Sequence, residues 1–348
     1  MLRFLALLVL FAASVAAQPA TVLGTVTDAE TGEPLAGANV VVAGTTLGTS
    51  ADGDGRFVLE IGAGAPRLAA TMLGYESAST TQRVAPGDVL DVDFRLRPKA
   101  LELGTVEVVA RDDGWHRALR SFTTVFLGTT PNAERTEFVN PEVIDLEAGP
   151  ALLEAATVAP LRVRNDALGY DVTVHGLVFV GNREGRAWDG IVAFEDTCAL
   201  CEPDVLEARE RAYRGSLRHF LHAAVAGRAG AEGFVSRSVS QPGAKPSLRW
   251  YIRRLLGTDV DTLGYRLEAA PHGWDLVIDR AISVAYHGEP DERSIRKDYQ
   301  ESWLTPRENR IPLGPDGTLL DGADVVRHGY WDWERFADLL PTDYRPRE

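Results

Sequence analysis

The string GTVTDAETGEPLAGANVVVAGTTLGTSADGDGRFVL, Gly24 to Leu59, decides the fold class of the first part of the chain. Val22 to Thr27 reads as a first strand, and Asp28 to Pro34 as a polar turn in which Gly32 supplies a positive φ. Ala38 to Ala43 is nearly all apolar, the pattern of a strand buried on both faces. Ser50 to Phe57 contains two Asp-Gly pairs, which make a tight reversal into a strand over Arg56 to Ile61. Working outward, Thr21 to Pro98 keeps the same rhythm. Val, Leu and Thr dominate, and Gly, Asp or Pro interrupts them about every eight to twelve residues, as in an all-β sandwich.

With Leu73-Gly74-Tyr75 and a closing strand over Val89 to Leu96, these residues resemble the carboxypeptidase-regulatory-like domain of Bacteroidetes-type exported envelope proteins. The resemblance implies a seven-stranded, transthyretin-like or Ig-like β-sandwich over residues 21–98 with no catalytic residues of its own. Its conspicuous polar residues have structural readings. Asp52 and Asp54, with Asp28, echo part of a calcium loop, but the further ligands and the closing Glu of that pattern are absent. They read instead as solvated turn residues. The ring of Tyr75 reads as a cap on the sandwich core.

The chain begins with Arg3, an apolar run from Phe4 to Val15, and small residues Ala16 and Ala17. This is the form of a signal peptide over residues 1–17, cleaved after Ala17. The run is well short of the roughly 20 residues of a spanning helix. No Cys follows the cleavage point to accept a lipid, and no later stretch is long and apolar enough to span a bilayer as a helix. The expected location is therefore outside the inner membrane: periplasmic, outer-membrane associated or secreted. The net charge of −14 repels nucleic-acid phosphates and anionic lipid, so neither is an expected partner.

A linker is expected over residues 99–114. Its run LELGTVEVVAR, Leu101 to Arg111, is similar to the segment that leads from this sandwich into the plug of TonB-dependent outer-membrane receptors. A receptor barrel needs hundreds of further residues of alternating strand. The expectation is therefore a shared envelope-protein architecture rather than a receptor.

Residues 115–348 read as a mixed α+β domain, large enough at 45% hydrophobic content for the whole chain to bury a second core. Trp115, Leu119, Phe122 and Phe126 have helical spacing, stopped by Gly128. Strands are expected over Val158 to Arg164, Tyr170 to Val180 and Ala187 to Glu195. Asp204 to Ala226 reads as one amphipathic helix with Pro203 at its start, Gly227 at its end, and Arg209, Arg211, Arg214 and Arg218 on a solvated face. Tyr265 to Ala269, Trp274 to Asp279 and Ile282 to Tyr286 read as a meander turning at His272-Gly273. Gly329 to Leu340 reads as an aromatic-rich helix or turn. The strings at Phe122 to Ala133, Phe138 to Val143, Leu161 to Val172 and Ala212 to Leu221 resemble the uncharacterised carboxyl-terminal part of proteins that bear the same sandwich, which implies a domain pairing and no mechanism.

Three chemistries compete here. Cys198 and Cys201 form a C-x-x-C just before a helix start, which lowers a thiol pKa, but Glu195, Asp196 and Glu202 raise it, and no thioredoxin-like βαβ pattern surrounds the pair. A structural bridge, unbridged thiols and a redox pair all fit. Adding His219 and His222 approaches a zinc pattern, although the second pair is tighter than the usual histidine spacing, and zinc is the only cofactor the sequence raises. A hydrolase is disfavoured, since no H-x-x-E string occurs and Ser216 lacks the second glycine of a nucleophile elbow. The reading that remains is non-catalytic binding or scaffolding toward an envelope protein or a glycan. Its candidate ligand surface is Tyr213, Arg214, Arg218, Trp331 and Trp333, within the cluster that also holds Tyr330 and Phe336.

Overall fold

A computed structural model describes residues 18–99, 113–182, 185–198, 200–244, 263–294, 297–320 and 325–347. The expected signal peptide, residues 1–17, and most of the expected linker lie outside the described residues.

Eight short strands build the amino-terminal sandwich: β1 (Ala20–Asp28), β2 (Asn39–Val42), β3 (Gly48–Ser50), β4 (Arg56–Ile61), β5 (Arg67–Thr71), β6 (Ala78–Thr81), β7 (Val89–Asp91) and β8 (Phe94–Leu96). One sheet runs β4-β1-β7 with β8 also on β1, and the other runs β3-β2-β5-β6. Strand β4 alternates strictly between exposed and buried residues, which places Phe57, Leu59 and Ile61 in a core with Val22, Val26, Val40, Leu68 and Leu96. The extra strand arises because the closing passage is broken. It pairs with β1 at Val89–Asp91 and again at Phe94–Leu96. Between the two, a Cβ on Gly24 would stand 2.0 Å from the Val92 carbonyl oxygen, and Asp93 accepts hydrogen bonds from the Thr25 amide and hydroxyl. Counted as one passage, it restores the seven of the expectation. Strand β2 is a correction: Asn39 is exposed and Val41 only half-buried, so one face of it is open.

Helix α1 (Asp113–Leu127) buries Phe122 and Phe126 and stops at Gly128, whose φ is +102°. It packs on a six-stranded sheet ordered β10 (Ile144–Ala148), β11 (Leu152–Thr157), β13 (Tyr170–Asn182), β12 (Leu161–Asn165), β9 (Thr136–Phe138), with β14 (Gly185–Asp196) on the far edge of β13. The register of β13 against β14 slips between His175 and Val178. On its other edge β13 pairs with β12 before this bulge and with β11 after it.

The expected long helix is two, α2 (Pro203–Tyr213) and α3 (Leu217–Val225). The break lies at Gly215, whose φ is +73°, and Ser216 starts the second helix by accepting the His219 amide on its side chain. Beyond it stand β15 (Phe234–Val239), β16 (Arg266–Ala270), β17 (Gly273–Val277), β18 (Ala281–Tyr286), β19 (Gln300–Pro306), β20 (Arg310–Leu313), β21 (Val325–Gly329) and the short helix α4 (Tyr330–Trp333). The expected meander is also corrected. The β16–β17 hairpin forms, but β18 leaves it for a separate sheet ordered β15-β18-β19-β21, while β17 pairs with β20. Among the described residues, the region from α1 onward thus holds two apolar clusters. Phe122, Phe179, Tyr170 and Phe336 centre one, and Phe220, Ile282, Leu304 and Trp331 the other.

Candidate functional site

Four segments from across the chain meet at one junction. The turn after β2 adds to the open edge of β14: the Gly44 amide donates to the Val192 carbonyl at 2.7 Å, and the Phe194 amide to the Thr45 carbonyl at 3.0 Å. The sandwich thereby extends the six-stranded sheet by one short bridge between Thr45 and Ala193. On the other side of this turn, the Thr342 amide donates to Gly44, and the Asp343 carboxylate accepts from the amide and hydroxyl of Thr46. Arg218 of α3 fixes the same tail, donating to the carbonyls of Pro341, Thr342 and Tyr344 at 2.7 to 2.8 Å.

These contacts border an open-mouthed cavity of about 310 Å³. Thr46 enters from the sandwich, Tyr170 and Asp196 from β13 and β14, Leu206 and Arg209 from α2, and Pro341, Asp343, Tyr344, Arg345 and Arg347 from the tail. Arg209 is the rigid part of its wall. Its side chain is 8% exposed and donates to both carboxylate oxygens of Asp196, at 2.9 and 3.0 Å, and to the carbonyls of Leu168 and Gly169. The guanidinium also lies 4.0 Å from the centre of the Tyr170 ring. Burial works to raise the Asp196 pKa, but the Arg209 hydrogen bonds, the Cys198 amide and the guanidinium charge outweigh it, so Asp196 stays ionised well into the acid range. Burial also lifts the Tyr170 phenol far above its ordinary pKa, so it remains a neutral donor and acceptor.

The residues singled out from sequence fall elsewhere. Cys198 and Cys201 are joined in a disulfide, and Leu200 of the loop they close is 96% exposed. His219 accepts from the Gly215 amide on Nδ1, which leaves the proton on Nε2 to donate to Glu232 at 2.9 Å. Burial lowers the His219 pKa, with Glu232 pulling the other way. Burial and the charge of Arg218 bring His222 down to about 4. With both sulfurs bonded to each other and both His219 nitrogens engaged, the four residues are not arranged as a metal centre. Among the described residues no group of three or more His, Cys, Asp or Glu side chains could hold a metal ion. Ser216 donates its hydroxyl to the Tyr213 carbonyl while capping α3, so it is not held by a base.

The expected solvated arginine face is half right. Arg211 and Arg214 are exposed and pair with Glu207 and Glu210 one turn back, whereas Arg209 and Arg218 are the two clamps just described. Trp331 is 2% exposed and donates from its indole nitrogen to the Gly215 carbonyl, and Tyr213 is buried. Trp333 is half-buried, with its indole on the Thr129 hydroxyl. Tyr213, Arg214, Arg218, Trp331 and Trp333 therefore share no open surface. The cavity residues carried no local signal, because Thr46, Asp196, Arg209 and Asp343 acquire their roles only when four distant segments meet.

Comparison with known proteins matches residues 22–108 to the CarboxypepD_reg-like domain. The chain is 30% identical over 131 residues to the TonB-dependent receptor P3 of Formosa agariphila, which covers 38% of this chain and 12% of that protein. It is 36% identical over 96 residues to the TonB-dependent receptor SusC of Bacteroides thetaiotaomicron, covering 28% and 9%. The chain thus spans a small fraction of these relatives. Among solved structures, a DUF3823 family protein from Parabacteroides merdae aligns over 52% of this chain and 81% of its own at 11% identity, with a TM-score of 0.19, too low to bear on fold or function.

Proposed function

We propose that this is an exported cell-envelope protein with a non-catalytic binding or scaffolding role, its CarboxypepD_reg-like sandwich serving as the support that completes a binding junction. The observation that carries the reading is the way the sandwich spends its polar groups. Asp28 accepts from the amides of Glu30 and Thr31 and the hydroxyl of Tyr75, and Asp52 from the amides of Asp54 and Arg56. The turns that could have carried chemistry hold themselves together, while the turn at Gly44 to Thr46 reaches out and docks. Within the junction, the side chains offer hydrogen bonds and aromatic surface rather than an activated nucleophile.

The test has two parts. Expression with residues 1–17 in a bacterial host should yield a chain beginning at Gln18 in the envelope fraction; an uncleaved chain in the cytosol would contradict export. The purified mature protein should be retained by immobilised envelope glycan or envelope protein without hydrolysing either. Release of reducing ends or new peptide termini would contradict the non-catalytic role.

A further inference from the structure

The junction cavity carries a ligand class as well as a general role. Two tyrosines, Tyr170, which is 3% exposed, and the half-buried Tyr344, line it, and neither hydroxyl hydrogen-bonds another described residue. Three guanidiniums, Arg209, Arg345 and Arg347, face two carboxylates, Asp196 and Asp343. Asp316 stands 3.9 Å from Arg345, so three carboxylates meet the three guanidiniums and the surroundings come close to charge balance. An ionic ligand would disturb that balance and lose hydration without a clear counter-charge. A neutral polyol would not. Each sugar hydroxyl both donates and accepts, and the wall supplies both kinds of partner. The volume, about 310 Å³, lies at the lower end of the roughly 300–1,000 Å³ of small-molecule sites, which fits one or two sugar rings.

We infer that the cavity between the sandwich turn, α2 and the tail binds a neutral sugar unit of a glycan, with the Tyr170 and Tyr344 hydroxyls, Asp343, Arg345 and Arg347 meeting its hydroxyls. The inference rests on the binding reading above and narrows its partner to a glycan. Arg218 is a positioning residue here: it lies outside the lining but holds the carbonyls on either side of Asp343, and so fixes where that carboxylate and Tyr344 stand.

The test is saturation-transfer NMR on the full mature chain with glucose, galactose, mannose, N-acetylglucosamine, maltose and cellobiose, using glucuronate and glucosamine as charged controls. Transfer should appear for at least one neutral sugar and exceed that for both charged ones. Tyr344→Phe and Tyr170→Phe remove only a hydroxyl each, and together they should weaken binding about tenfold while leaving the unfolding midpoint nearly unchanged. Asp54→Asn, in the remote sandwich turn, should have no effect on binding. Absence of transfer from every neutral sugar, preference for a charged control, or binding indifferent to the double Tyr variant would each overturn the inference. Retention on envelope protein with no sugar signal would sink this inference and leave the binding reading standing; loss of both would sink both.

Discussion

The sandwich and the region that follows it close their polar groups over different distances. In the sandwich, Asp52 is satisfied by amides two and four residues away, and Asp28 by amides two and three residues away together with the Tyr75 hydroxyl. In the larger region the Asn165 amide donates to the Ala337 carbonyl, 172 residues on, and the Thr130 hydroxyl to Asp338, 208 residues on. The Trp331 indole reaches Gly215 across 116 residues. The lesson is one of range: the sandwich turns meet most of their polar needs locally, with Tyr75 on Asp28 and Thr25 on Asp93 reaching 47 and 68 residues, whereas the second part has polar locks that span 116 to 208 residues and exist only after the chain has folded back. Damage to a lock should therefore cost more than damage to a turn.

The largest effect is expected at Arg209. Arg209→Met takes the guanidinium from the Asp196 carboxylate, which keeps only the Cys198 amide, and from the carbonyls of Leu168 and Gly169; with Asp196 partly open to water, it should cost about 3 kcal/mol in urea unfolding. Two glycines with nearly the same φ sharpen the contrast. A Cβ on Gly215 would stand 2.0 Å from Gln300 Oε1 and 2.7 Å from the Tyr286 ring, both on buried side chains, so Gly215→Ala should cost about 2–4 kcal/mol. Gly32, with φ +75°, has nothing within 4 Å of that position, so Gly32→Ala should cost only about 1 kcal/mol of backbone strain. Equal costs at the two sites would erase the distinction. Replacing Cys198 and Cys201 by Ser should cost about 2 kcal/mol, since so short a loop restrains the unfolded chain little.

A pH measurement reads one lock directly. Burial pushes Asp338 up to about 6 from 3.8, against hydrogen bonds from the Arg335 amide, Thr130 and Asn132. Between these values the folded chain binds more protons than the unfolded one, so this group's contribution to stability falls as pH rises from about 4 to about 6. In Asp338→Asn that slope is absent. The wild-type stability minus that of the variant should therefore decline across the window, and a constant difference would show that Asp338 is not held in this way.

How much of the molecule was legible follows the same division. The Asp-Gly pairs and alternating apolar residues of Ser50 to Ile61 specify their turn and strand locally, and both appear. The break between β7 and β8 was hidden because it depends on the close passage of Val92 over Gly24. The Gly215-Ser216 pair did carry a helix-stop and cap signal, but continuous apolar spacing on either side masked it. Strand β18 looks like a third meander strand from its residues alone, and only its longer pairing with β15 and β19 moves it to another sheet. Arg209 reads as a surface charge on a helix because nothing near it in sequence announces Asp196. The cavity was illegible for the same reason, being lined by residues from Thr46 to Arg347.

The most direct test of the proposed junction as the binding surface is amide hydrogen exchange on the intact protein, with and without the envelope glycan fraction it is expected to retain. Slowed exchange should fall on the amides of residues 168–170, 194–197, 342–345 and 347, while those of the turns at 28–33 and 52–56 keep their free-state rates. Slowing confined to those turns, or a tail that exchanges freely in the presence of glycan, would contradict the account.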